Sequence, residues 1–238
     1  SSLNTIPISR DRASQKKSHL LESEKIAYRA LVGQLNCVAT HTRPDIALET
    51  CELSVSFKNG TMTDLIRLNK LVERVKRDSI NLFFPRLQSV EKCTLECYTD
   101  AYFRNLPNEV SQGGIIIFLK DETGQRCPIF WQSRKIDRVV NSTLSAETMA
   151  LVEGAGTAVY LAGIIKHLTG QSNMKIKCYT DNKSLVDSLL SSKQVTDRRL
   201  RLDTNVLENM LTRGEIKKVI WVNSKDQLAD CLTKRGVS

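Results

Sequence analysis

The chain has 238 residues, 41% of them hydrophobic and 26% charged, which supports a folded core and excludes disorder as the main state. Lys and Arg number 35 against 26 Asp and Glu, a net charge of +9 that favours a polyanionic partner or else marks a basic protein with none. No apolar run approaches the roughly 20 residues that cross a bilayer, and the start has neither the apolar stretch of a secretory signal nor an initiator Met, as in a piece of a longer polypeptide.

The first 17 residues are polar and basic and read as a loose lead-in. Ile26, Leu31, Leu35 and Val38 recur at helical spacing, which predicts a helix over Ser23–Ala39 with Ser23 as its cap. Arg43-Pro44-Asp45 breaks it and opens a second helix to about Phe57. Asn59-Gly60 is a turn, and Leu65, Leu68, Val72 and Val75 line one face of a third helix, Thr63–Arg77. The periodicity changes at Pro85. Lys92–Tyr102, Gly114–Lys120 and Arg126–Ser133 read as an antiparallel meander with a turn at Asp121–Gly124. A long helix, Thr143–Leu168, is followed by a strand at Lys175–Thr180 and helices at Asn182–Ser192 and Arg198–Arg213. Gly214 ends the last of these, and Lys217–Val222 is a fifth strand before a short helix, Asp226–Lys234. The order βββαβααβα predicts an α/β domain over 91–238, with a mixed five-stranded sheet and flanking helices, behind a helical segment over 1–90.

Seven cysteines stand at 37, 51, 93, 97, 127, 178 and 231, with no C-x-x-C, and the three His are scattered. That excludes zinc spacing and a disulfide framework, and points to a reducing compartment. Trp131 and Trp221 fall in strands and read as core.

The carboxylates are more informative. Glu96-Cys-Tyr-Thr-Asp100 and Lys177-Cys-Tyr-Thr-Asp181 are local echoes, each ending a strand in Asp. Parallel, adjacent first and fourth strands would set both Asp at one crevice, where ligands of open α/β sheets bind. Either Asp alone could simply cap a turn. At about 100° per residue Glu147 shares the apolar stripe of Leu151, Ala155, Ala158, Ala162 and Ile165, and burying it is costly unless it is paired or metal-bound. Glu153 points the other way and reads as a solvated charge, and Gly154, on the buried stripe, implies close helix–sheet approach. Asp226 suits a helix cap, and Asp230 could be solvated; position alone does not decide its role.

Four ordered blocks carry a family resemblance. Ser142-Thr-Leu-Ser-Ala-Glu147, Asp226-Gln-Leu-Ala-Asp230-Cys-Leu-Thr-Lys234, Tyr98-Thr-Asp100 and Tyr179-Thr-Asp181-Asn resemble the RNase H domain of copia-type LTR retrotransposon polyproteins. Tyr28-Arg-Ala-Leu-Val-Gly33 and Thr42-Arg-Pro-Asp-Ile46 resemble the reverse transcriptase segment that follows the polymerase palm. The resemblance implies an RNase H-like fold and hydrolysis of the RNA strand of RNA–DNA hybrids. It implies a metal-binding catalytic set of Asp100, Glu147, Asp181 and Asp230 and two Mg²⁺ ions, replaceable by Mn²⁺. In the roles it implies, Asp100 bridges both ions, Glu147 and Asp181 hold the leaving-group side, and Asp230 holds the side of the attacking water. Its partners would be the hybrid and the rest of the reverse transcriptase polyprotein, without a membrane. Its location would be intracellular: cytoplasm, virus-like particles or nucleus. The 1–90 segment then corresponds to thumb or connection. The chain has no Asp-Asp dipeptide, so polymerisation is not expected of it.

Arg134, Lys135 and Arg138, after the third strand, suit contact with the DNA strand or with solvent. Ser145, Thr148, Asn182 and Ser184 lie near the motifs and suit sugar or phosphate contact, or ordinary capping. The loop His that many cellular RNases H carry before the last Asp is missing from Asn223–Asp226, and Ser145 stands where copia-type sequences often have Glu. A non-catalytic nucleic-acid-binding module derived from such an element is the competing reading, separable by a cleavage assay.

Overall fold

The computed structural model describes residues 3–106, 109–170, 174–190 and 197–236. The chain divides into two compact units, Ser1–Leu82 and Phe83–Ser238.

The first unit is helical: α1 (Arg10–Ser14), α2 (Glu22–His41), α3 (Ala47–Val55) and α4 (Met62–Arg77). Tyr28, Leu31, Val32 and Leu35 of α2 meet Leu53 of α3 and Leu65, Leu68 and Val72 of α4 in its buried interior. The N-terminal stretch is not a loose lead-in. Asn69 pairs with both backbone groups of Ile6 at 2.8 Å, and Arg12 holds Glu24 with two hydrogen bonds, 2.9 and 2.8 Å. The cap of α2 is Leu21, not Ser23; its N–H donates to Glu24 Oε2 at 2.8 Å, which draws Ser23 into the first turn. Sequence periodicity could not show this, because the capping carboxylate comes from inside the helix.

The second unit is a mixed five-stranded sheet with flanking helices, as expected. Its strands are β1 (Thr94–Leu106), β2 (Val110–Lys120), β3 (Arg126–Lys135), β4 (Lys175–Thr180) and β5 (Lys218–Trp221), in the order β3-β2-β1-β4-β5. β1 pairs antiparallel with β2 and parallel with β4, and β4 pairs parallel with β5. The helices are α5 (Thr143–Thr169), α6 (Lys183–Leu190) and α7 (Arg198–Thr212); the predicted end of α6 at Ser192 lies outside the described residues. Alternate β1 residues, Leu95 and Cys97, join Ile115 and Ile117 of β2 and Leu151, Ala155 and Ala158 of α5 in the main core. α5, at 27 residues, is long and apolar enough to cross a membrane by length and composition alone. Here its small residues serve packing on the sheet.

Gly154 is where α5 comes closest. A Cβ there would fall on Thr99 Cγ2 and lie 2.9 Å from Cys97 Sγ. Both neighbours are buried strand residues that cannot swing away. We expect Gly154→Ala to destabilise the second unit by about 1–3 kcal/mol, as overpacking does. An unchanged thermal midpoint would show that helix and sheet part without cost.

The predicted last helix is absent. Two 3₁₀ turns, Ser224–Asp226 and Asp230–Leu232, stand in its place. Asp226 is exposed and is not the cap; Asn223 is, accepting from the Lys225 N–H. This segment is held by tertiary contacts: Gln227 Nε2 donates to the Thr99 carbonyl at 3.0 Å, and Ser133 Oγ to the Leu232 carbonyl at 2.6 Å. Gly114 lets it approach, since a Cβ there would lie 2.9 Å from both Leu232 Cβ and Thr233 Cγ2. Trp131 is buried, but Trp221 is 45% exposed at the sheet edge, a correction to its core reading.

Candidate active site

Parallel pairing of β1 and β4 sets Cys97 beside Cys178 and Tyr98 beside Tyr179. Two residues further on stand Asp181, just past the end of β4, and Asp100, which does not end its strand as expected, because β1 runs on to Leu106 in its pairing with β2. The docked C-terminal segment adds Asp230. One oxygen from each of Asp100, Asp181 and Asp230 lies within 4.8 Å of the others. Glu147, in the first two turns of α5, lines an open cleft of about 530 Å³ with Asp100 and Asp181, together with Tyr102, Phe103, Thr143, Asn182, Lys183 and Lys234.

The three aspartates are each held by something specific. Thr233 donates its hydroxyl to Asp100 Oδ2, and Lys234 Nζ lies 3.3 Å from Asp100 Oδ1 and 2.7 Å from Asp230 Oδ1. Ser224 Oγ donates to Asp181 Oδ2 at 2.8 Å, and the Trp221 indole N–H donates to the Asp181 carbonyl at 3.0 Å. Glu147 Oε2 is buried with no hydrogen-bond partner. Burial raises the Asp100 carboxyl above its usual range; the Thr233 hydrogen bond and the Lys234 charge offset only part, and Asp230 and Asp181 raise it further. Burial, reinforced by the charges of Asp100 and Asp181, pushes Glu147 up to about 9.

A second buried acid on β1 shows what a structural carboxylate looks like. Glu96 accepts from Arg126 at 2.7 Å, Lys120 at 3.1 Å and the Tyr179 hydroxyl at 3.0 Å. Burial alone would raise it, but these donors hold it below the usual carboxylate range. Glu96 is satisfied within the chain, whereas Glu147 is buried with an orphaned oxygen beside other acids. Buried unpaired carboxylates are expensive, and a convergent set of hard oxygen donors fits a divalent cation.

The other predicted contacts fare differently. Arg134 is paired with Glu153 and Asp137, Lys135 with Asp137, and Arg138 with Asp203. Each of these cations therefore has an ion-pair partner within the chain while its side chain stays about half exposed, and Glu153 is a salt-bridge partner rather than a purely solvated charge. Thr148 is fully buried and donates to the Leu144 carbonyl, so it serves the helix. Ser145 sits in the cap of α5, its N–H donating to Ser142 Oγ. Asn182 caps α6 through the Leu185 N–H and also lines the cleft, and Ser184 is exposed on α6. Sequence reasoning missed Ser224, Trp221, Thr233 and Lys234 as partners of the acids. The last two stand in the Asp230 block, which was a usable signal; the first two are positioned by the fold alone.

No protein-family model matches this chain, and no curated protein matches it. Among solved structures it is similar to the N-terminal RNase H domain of Rv2228c from Mycobacterium tuberculosis, at 16% identity and TM-score 0.45, covering 59% of this chain and 91% of that one. It is similar to LC11-RNase H1 in complex with an RNA/DNA hybrid, at 16% identity and TM-score 0.44, over 58% and 93%. It is also similar to the foamy viral protease–reverse transcriptase with an RNA/DNA hybrid, at 13% identity and TM-score 0.44, over 74% of this chain and 26% of that one.

Proposed function

We propose that this chain is a divalent-metal-dependent ribonuclease H that hydrolyses the RNA strand of RNA–DNA hybrids. The observation that carries the reading is the convergence of Asp100, Asp181 and Asp230, with the orphaned Glu147 lining one open cleft with the first two, in a basic protein. Such a cleft repels a phosphodiester unless cations neutralise it, so an acid cluster and a polyanionic partner are reconciled by bound metal. Mg²⁺ is the ion we assign, with Mn²⁺ as substitute. Bound in pairs, such ions supply an activated water and stabilise the leaving oxygen.

The chain's own part is to fix the donors. β1 delivers Asp100 from its middle and the end of the adjacent β4 delivers Asp181, α5 delivers Glu147, and the segment docked at Gly114 delivers Asp230. Ser224 and Trp221 tie Asp181 to the loop after β5, where many RNases H carry a His. Asn182 and Lys183 face the cleft and suit the sugar–phosphate backbone, with RNA told from DNA by its 2′-hydroxyls. The four sequence blocks support placing the chain in the RNase H part of a copia-type reverse transcriptase. On that reading residues 1–90 are thumb or connection, the partner is the remaining polyprotein, and the location is intracellular. Polymerisation would belong to that remainder.

The test is a hybrid labelled on its RNA strand, beside single-stranded RNA and duplex DNA. We expect RNA-strand cuts only in the hybrid and only with Mg²⁺ or Mn²⁺. Cleavage that persists in excess EDTA would overturn the metal mechanism. Tight binding without cleavage would favour the non-catalytic module.

A further inference from the structure

We propose that Lys234 is a tethered counter-cation of the acid cluster, which a divalent ion must displace from Asp100 and Asp230, so that this lysine sets the metal affinity of the site. The inference rests on the reading of these acids as a metal site. Its basis is position: Nζ lies between Asp100 Oδ1 and Asp230 Oδ1, at 3.3 and 2.7 Å. Those oxygens belong to acids that also converge with Asp181. An ammonium and a divalent ion therefore compete for the same two carboxylates.

The backbone keeps the lysine there. Its N–H donates to the Asp230 carbonyl at 2.7 Å, one turn back, and Thr233 beside it donates to Asp100 Oδ2. The short segment that begins with the 3₁₀ turn at Asp230 thus also carries the cation that neutralises it, two residues past the turn. The Lys234 side chain remains 35% exposed at the side of the open cleft. A lysine is a compact charge on a flexible four-carbon stem, so it can leave its two oxygens without moving the backbone. Once released it faces the cleft, where a substrate phosphate would receive it.

Two consequences separate this role from simple packing. Without divalent ions, Lys234 relieves repulsion among the acids and stabilises the fold. With them, its charge weakens binding. We expect K234M to lower the Mn²⁺ dissociation constant of the full chain by at least roughly tenfold, because a like charge a few ångströms away has been removed. K234R, which keeps the charge, should stay near the wild-type value. We expect the EDTA-treated K234M chain to melt below wild type and to gain more melting temperature than wild type on adding saturating Mn²⁺. The second measurement remains readable if the metal-free variant is poorly stable. Mn²⁺ alone, followed by calorimetry or electron paramagnetic resonance, is the probe. If wild type binds Mn²⁺, Asp100→Asn abolishes that binding and K234M binds no tighter, the role of Lys234 is wrong and the metal site stands. If wild type binds no Mn²⁺, the site reading fails and the role of Lys234 fails with it.

Discussion

Asp100→Asn should abolish cleavage of the hybrid while leaving the melting temperature in EDTA equal to wild type or higher. Two effects oppose each other at this position. The carboxylate is 1% exposed, and its ionised form suffers from burial and from Asp230 and Asp181. It also gains from the Thr233 hydroxyl and from the Lys234 ammonium at 3.3 Å. The net displacement of its titration is upward, so in the folded chain the charge costs more than its partners return. An amide of the same shape removes the cost and still accepts from Thr233. Function here is held against stability, a pattern common at active sites.

The contrast is Asp121. Its Oδ1 accepts from the Thr123 N–H at 2.9 Å and the Gln125 N–H at 3.1 Å, and it also takes the Thr123 hydroxyl. These bonds, led by the Thr123 hydroxyl, hold its carboxyl below the usual range. Asp121→Ala should therefore lower the melting temperature and keep metal-dependent cleavage. Cleavage surviving in Asp100→Asn, with a clear loss of stability, would make Asp100 structural and the assigned site wrong.

How much of this was legible in the sequence depends on which force set each residue. The repeated Cys-Tyr-Thr-Asp was enough to pair β1 with β4, because strand register carries a local echo into space. Glu147 was legible because a helix keeps strict angular order, and an acid on its apolar stripe stands out. Gly154 was legible for the same reason. Asp230 was not, since its segment forms two 3₁₀ turns whose orientation comes from Gln227, Ser133 and Gly114 rather than from any period. Only the resemblance singled it out. The ion pairs of Arg134, Lys135 and Arg138 were not legible, because their partners Glu153, Asp137 and Asp203 are brought to them by the fold. Trp221 was misread because a β-rich sequence context does not distinguish a central strand from an edge strand, and β5 is an edge.

Glu147 should make the stability of the metal-free chain fall steeply with pH. Its carboxyl titrates at about 9 in the fold, against an ordinary value of 4.5, because of burial and then the charges of Asp100 and Asp181. Below pH 4.5 folded and unfolded chains both hold the proton, and this group contributes no slope. Between 4.5 and about 9 the folded chain holds a proton that the unfolded chain has released. Stability then declines as pH rises, by up to about 1.4 kcal/mol per pH unit from this group. A Gln at this position keeps the shape and carries no proton to lose. In EDTA, Glu147→Gln should therefore show a flatter profile and exceed wild type in stability at pH 8, while its cleavage activity is lost. Divalent metal should flatten the wild-type profile as well, since the ionised carboxylate then has a partner for the oxygen that the chain leaves bare. Equal slopes for wild type and variant across pH 5–8 in EDTA would show that Glu147 is already ionised in the fold. The orphaned oxygen would then have another source of compensation, and the case for Glu147 as a metal ligand would rest on sequence alone.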